Sequence, residues 1–468
     1  MMDDTMNKES FAKYIESYRQ EMIDSLIELV RIRSVQEDPA PQAPFGPGPA
    51  RALIKTLEMA EKLSFKVENL SGYIGYAEYG QGDEYVAVLG HVDVVPEGDG
   101  WNSPPFDPII KEGRIYGRGT TDDKGPLVAA LYALKAIKDS NIKLNKRVRL
   151  IIGTNEETEN EDIKYYLSQE KPPCCGFTPD AFFPLVYAEK GLLHLKIEKI
   201  VGIDVSSVLE VEGGLVANMV PQSAKAEIVA ENPNDIVQAC SHFSENTGIT
   251  VSAHVLGNKA IIRSMGKAAH ASVPEEGKNA IMQLISFLSE LGGLPGGLAE
   301  TIHFLDKRIG LETNGHSLGL GLTDEASGGL TLNVGKIEIS HGILSMVIDI
   351  RYPVTAHLQD VVIPLEKVLV DAGFSIEITD HQKPLYFSKS SYLVRTLQRV
   401  FKEQTGIDAE PLAIGAGTYA KEMPNIVAFG PVFPGEPLVE HQPDEYFAIE
   451  DLIMCSKIYA QAIYELSK

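Results

Sequence analysis

The chain has 468 residues, a length that sets an expectation of about 3 domains, or of about 2 large ones. Lys and Arg number 42 against 65 Asp and Glu, a formal charge of −23, which argues against a protein built to grip nucleic-acid phosphates or an anionic membrane surface. With 44% hydrophobic residues and four cysteines lacking any CxxC spacing, the chain is neither disordered nor a disulfide scaffold, and reduced thiols in a cytoplasm are expected.

Residues 1–10 carry Asp3, Asp4 and Glu9 and no apolar core, so no secretory signal is expected there. Phe11, Ile15, Tyr18, Met22, Leu26 and Leu29 recur at helical spacing and predict one amphipathic helix over 11–32, capped by Ser10. Pro39, Pro41, Pro44, Pro47 and Pro49 follow as a loop, because no helix or central strand holds that spacing. A helix is expected from Ala50 to Lys62. The runs 85–89 and 148–152 read as buried strands, 114–116 as a short strand and 124–138 as a helix, which is the rhythm of an α/β sheet. From Gly191 the pattern turns to alternating strands, with 193–197, 225–230 and 346–350 separated by helical patches at 235–244 and 279–291. Near Lys383 the α/β style returns, with a helix at 391–404, a strand at 426–429 and a helix at 449–466. The expected architecture is an α/β domain of 1–188 and 383–468, its mixed sheet flanked by helices, interrupted by an α+β insert at 189–382 built as two modules. No stretch reaches the roughly 18 uninterrupted apolar residues of a membrane span.

Polar residues gather where open α/β sheets bind ligands, beyond the carboxyl ends of strands. His91 follows the 85–89 strand, Glu156 and Glu157 follow 148–152, Asp122 and Asp123 open the helix at 124, and Asp180 follows the turn Phe177-Thr178-Pro179. Taken singly, each has an ordinary explanation: an Asp-Asp pair caps helices, and a Glu-Glu pair faces solvent. Their joint placement at strand and turn ends is what those explanations do not predict. Histidine with carboxylates suits zinc, and His91, Asp122, Glu157, Asp180 and His441 are enough donors for two ions bridged by a carboxylate. Asp93 is expected to hydrogen-bond the second ring nitrogen of His91. Glu156, next to a ligand but free of metal, is expected to act as general base.

The motifs Gly90-His91-Val92-Asp93-Val94-Val95-Pro96, Tyr116-Gly117-Arg118-Gly119, Asp122-Asp123-Lys124-Gly125 and Gly153-Thr154-Asn155-Glu156-Glu157 stand in this order. They resemble the di-zinc peptidase family that contains carboxypeptidase G, aminoacylase and succinyl-diaminopimelate desuccinylase. Pro179-Asp180-Ala181, Gly415-Ala416-Gly417-Thr418-Tyr419 and the long insert are most similar to its dipeptidase V branch (Xaa-His dipeptidase, carnosinase). The resemblance implies two Zn2+ per chain, with Mn2+ or Co2+ able to substitute. His91 and Asp180 would hold one ion, Glu157 and His441 the other, and Asp122 would bridge them. It implies that Glu156 deprotonates a metal-bridging water, which attacks the peptide bond of an unblocked dipeptide. The insert would be the family's lid, where His270 donates to the oxyanion and Asn218 and Arg351 meet the substrate, as would Gly415, Gly417 and Thr418. A lid of this length implies a monomer. The same scaffold supports two alternatives, an N-acyl amino acid deacylase (acetylornithine or succinyl-diaminopimelate type) and a non-catalytic metal-binding protein. Three positions depart from the family pattern. Phe182 stands where an acidic residue is expected near the substrate's amino group, Ala416 replaces a glycine, and Lys421 replaces an arginine.

Overall fold

The computed structural model describes residues 2–202 and 209–468, with side chains from Ser10 onward in those ranges. They form two compact units. The first holds the residues up to Tyr187 together with Phe387–Leu412 and Thr418–Lys468; the second holds Ala188–Tyr386 and Ala413–Gly417.

The first unit is built on a mixed sheet. Its strands run in the order Lys66–Leu70, Ile74–Tyr79, Arg147–Gly153, Tyr85–His91, Cys175–Thr178 and Ile426–Ala428. The last four are parallel to one another, and Ile74–Tyr79 and Lys66–Leu70 extend the sheet antiparallel. Tyr85–His91 is buried along its whole length, as a parallel strand covered on both faces must be. Helices Gly125–Asp139 and Ile449–Ser467 pack on each other and on this strand. Both are buried on nearly all sides, so they read as apolar runs with little stripe.

Four local expectations need correction. The N-terminal helix is two helices, Met2–Ser17 and Arg19–Val30, broken at Tyr18. The Tyr18 hydroxyl donates to Asp139 at 2.6 Å. Ser10 is no cap; it lies inside the first helix, its hydroxyl 3.2 Å from that of Ser140. Pro47 and Pro49 lie in the first turn of helix Pro47–Lys62, where a missing N–H costs nothing. Phe177 and Thr178 belong to a strand, not a turn.

The second unit is one continuous antiparallel sheet. Its strands run in the order Thr250–Leu256, Lys259–Met265, Ser223–Val229, Leu209–Gly213, Thr331–Ser340, Ile343–Tyr352, Gly191–Ile200 and Ser375–Gln382. Two modules were expected; the eight strands share a single sheet and a single apolar core. Helices Pro233–Thr247, Ala280–Leu291, Gly296–Arg308 and Leu358–Asp371 accompany it. Among the described residues no helix is long and apolar enough to cross a membrane.

Candidate metal centre

The parallel strands of the first unit end together, with His91 paired to Gly153. His91 is therefore the last strand residue, and Thr154-Asn155-Glu156-Glu157 leaves the sheet beside it. Asp180 lies two residues past the end of Cys175–Thr178. A side chain at Gly90 would run into Asp123, so the strand end and the Asp122 segment approach as closely as glycine allows. Asp122 sits at a kink (φ −123°, ψ 96°) and is joined to Asp123 by a cis peptide bond.

Two groups of ligand atoms result. His91, Asp122 and Asp180 form one, and Asp122, Glu157 and His441 form the other, with the atoms of each group within 4.8 Å of one another. His91 Nε2 lies 3.0 Å from Asp122 Oδ1 and 3.8 Å from Asp180 Oδ2. His441 Nε2 lies 3.0 Å from Asp122 Oδ2 and 3.1 Å from Glu157 Oε2. Asp122 thus offers one oxygen to each group. His91 Nε2 is buried and makes no hydrogen bond of acceptable geometry, even with Asp122 so near. A buried imidazole nitrogen left without a hydrogen bond among converging carboxylate oxygens suits a shared cation.

The charges agree. Burial, then the charge of Asp122, pushes the Asp180 carboxyl up to about 8. Burial and Asp180 drive Glu156 well above the carboxylate range, and burial and Asp122 raise Glu157. Burial opposes charge on His441, but hydrogen bonding to Asp122 and Glu157 outweighs it and pushes the ring up to about 12. The nearby His441 and His91 rings, each 3.0 Å away, likewise overcome burial and hold Asp122 low. Without cations, protons must neutralise this pocket. Ionised, Asp122, Glu157, Asp180 and Glu156 carry four negative charges, which two divalent ions would balance. The donor set of imidazole and carboxylate fits zinc.

Asp93 does something different from the expectation. His91 Nδ1 lies 3.0 Å from the Asp93 backbone carbonyl, whereas Asp93 Oδ1 is 3.4 Å from it. The Asp93 carboxylate instead accepts from the amides of Glu156 (3.3 Å) and Glu157 (3.1 Å). It fixes the turn that presents both glutamates.

Several supporting residues escaped the sequence reading. Asp162 is buried and accepts from the Thr154 amide at 2.7 Å, the Asn155 amide at 3.1 Å and the Tyr419 hydroxyl. Tyr419 in turn meets the His91 ring edge-on, with centroids 6.1 Å apart. Arg118 and Glu445 form a buried ion pair at 2.7 Å beneath the Asp122 segment. Arg118 and Tyr419 stand inside the motifs above, whereas Asp162 and Glu445 stand in none of them.

The second unit gathers the other expected residues. Ala271 donates its amide to Asn218 O at 2.9 Å, and Met219 bridges to His270. The Ser272 amide donates to His270 Nδ1 at 3.2 Å, which leaves the ring proton on Nε2. A Cβ at Gly415 would come within 2.7 Å of Ser272 Cβ, so this loop packs against the histidine's neighbour. Asp349 and Arg351, two apart in a strand, share a face. Arg351 Nε and Nη2 each donate to Asp349 at 2.7 Å, and Nη1 donates to Gly415 O at 3.1 Å. His194, directly across from Asp349, adds a contact at 2.9 Å. Gly417 and Thr418 continue this loop across the boundary between the units, with Thr418 capping the turn at Tyr419–Lys421.

Residues 87–465 match the model of peptidase family M20/M25/M40. The Bacillus subtilis (strain 168) protein named "Putative dipeptidase YtjP" is 40% identical over 457 residues, covering 96% of this chain and 98% of that one. A Staphylococcus epidermidis protein, named "Putative dipeptidase", is 34% identical over 458 residues, covering 96% and 97%. Human carnosine dipeptidase 1 shares the fold at 17% identity, with a TM-score of 0.59 over 98% of each chain. A metallo-carboxypeptidase of Sulfolobus solfataricus shares it at 20% identity, with a TM-score of 0.57 over 95% and 99%. A family match over most of the chain, relatives aligned end to end and a paired ligand cluster at the strand ends agree: the chain belongs to peptidase family M20/M25/M40 and is a hydrolase of the metallopeptidase type.

Proposed function

We propose that this enzyme hydrolyses unblocked dipeptides, as a member of the dipeptidase V branch, using two zinc ions. The observation that carries the reading is Asp122 shared between two ligand groups, with Glu156 half-buried beside them and outside both. The dipeptidase names of relatives 33–40% identical over nearly the whole chain support the substrate class.

His91 and Asp180 would hold one ion and Glu157 and His441 the other, with Asp122 offering an oxygen to each group. When bound, such ions would supply Lewis acidity and make water easier to deprotonate. Glu156 takes the proton of the attacking water and delivers it to the leaving amine. Asp93 holds Glu156 and Glu157 at their backbone amides. His270, its proton placed on Nε2 by Ser272, donates to the developing oxyanion. Arg351 has five N–H groups, of which Asp349 and Gly415 take three. The two that remain bind the terminal carboxylate of the dipeptide, with Asn218 and the Gly415-Gly417-Thr418 loop completing the substrate contacts. Four free thiols suit a reducing cytoplasm, and the long second unit suits a monomer, which sedimentation would check.

A second reading, N-acyl amino acid deacylase, is favoured by one observation. Phe182, in a short strand paired with Val432, provides no negative charge for a free amino group. Zinc-loaded protein assayed on dipeptides beside N-acetyl and N-succinyl amino acids separates the two. Turnover of dipeptides alone is expected, and turnover confined to the acyl substrates would overturn the dipeptidase reading.

A further inference from the structure

Asp122 and His441 lie on segments far apart in sequence, and one buried pair touches both. Glu445 is fully buried. Its carboxylate accepts from the amides of Gly119 (3.1 Å), Thr121 (2.9 Å) and Asp122 (3.3 Å). Arg118, 2% exposed, pairs with Glu445 at 2.7 Å through Nη1 and donates from Nη2 to His441 O at 3.3 Å and Glu97 O at 3.2 Å. His441 has φ +61°, a left-handed conformation that a non-glycine residue keeps only when its surroundings impose it. For stability alone a buried ion pair gains little over apolar packing of the same volume. Its geometry here is spent on the backbone of two loops, each carrying a proposed metal ligand.

We infer that Arg118 and Glu445 are positioning residues that set the spacing of Asp122 and His441, and with it the affinity of the ion these two share with Glu157. The inference rests on the two-metal reading above. Glu445 governs the bridging carboxylate, so it bears on both ions. Arg118 donates directly to the His441 loop, at His441 O and Gln442 O, and reaches the Asp122 segment only through Glu445, so its larger effect falls on the ion that His441 holds.

The test is calorimetric titration of metal-stripped wild type, Arg118→Lys and Glu445→Gln with Zn2+, together with the melting temperature of each stripped protein. Wild type is expected to bind two ions. Arg118→Lys, which keeps the buried charge but loses the forked donors, is expected to bind one ion within about threefold of wild type and the other about 10- to 100-fold more weakly. Glu445→Gln is expected to weaken both. If Glu445→Gln does not fold, Arg118→Lys decides. A lower melting temperature with both affinities unchanged would mean a merely structural role and overturn the inference. Wild type that takes up no zinc would instead overturn the metal reading, and this inference with it.

Discussion

The metal pocket of the first unit and the Arg351 cluster of the second treat buried charge in opposite ways. Around Asp122 the carboxylates outnumber any cationic side chain, and burial drives Asp180, Glu156 and Glu157 toward their protonated forms. Around Arg351 the account closes within the protein. Burial alone would raise the Asp349 carboxyl, but Arg351 and His194 outweigh it and hold it low. The lesson is that buried carboxylates in excess of cationic side chains call for a cation, while a balanced cluster holds a side chain ready.

That contrast can be broken at several points. The largest effect is expected from Glu156→Ala, which should lower kcat about 100- to 10,000-fold while elemental analysis finds zinc content unchanged; wild-type turnover would sink the general-base role. Asp349→Asn strands the Arg351 charge and should cost about 3–5 kcal/mol in chemical denaturation. His270→Ala should reduce kcat about 100-fold with little change in melting temperature. Asp180→Asn should do the reverse of Asp349→Asn in metal-stripped protein at neutral pH. Removing a carboxyl that burial pushes up to about 8 should stabilise the fold by at least about 1.4 kcal/mol, the equivalent of one pKa unit. If Asp180→Asn destabilises the stripped protein, the two clusters do not differ as argued.

Much of this was legible in the sequence, for a physical reason. Parallel strands are short apolar runs and ligand-bearing residues gather just beyond their carboxyl ends, so His91 and Glu157 announce themselves locally. Asp93 was legible as a partner of the site, but not as the acceptor for the Glu156 and Glu157 amides, because that depends on how a turn 63 residues away folds back. The Asp162–Tyr419 bond spans 257 positions and the Gly119–Glu445 bond 326, and no periodicity encodes such distances. The break at Tyr18 was hidden because both helices keep one apolar phase across it. The single sheet of the second unit was hidden because its central pair, Leu209–Gly213 with Thr331–Ser340, joins strands more than a hundred residues apart.

The chain contains a single tryptophan, Trp101. Its ring lies with Arg118 Cζ 5.2 Å from the ring centre, and its Nε1 donates to Glu97 O, the same carbonyl that receives Arg118. Indole emission responds to nearby charge and hydration, so the protein carries an unlabelled optical reporter against the guanidinium that touches the His441 loop. Metal addition at that corner would be read in real time, with no tryptophan signal from the second unit.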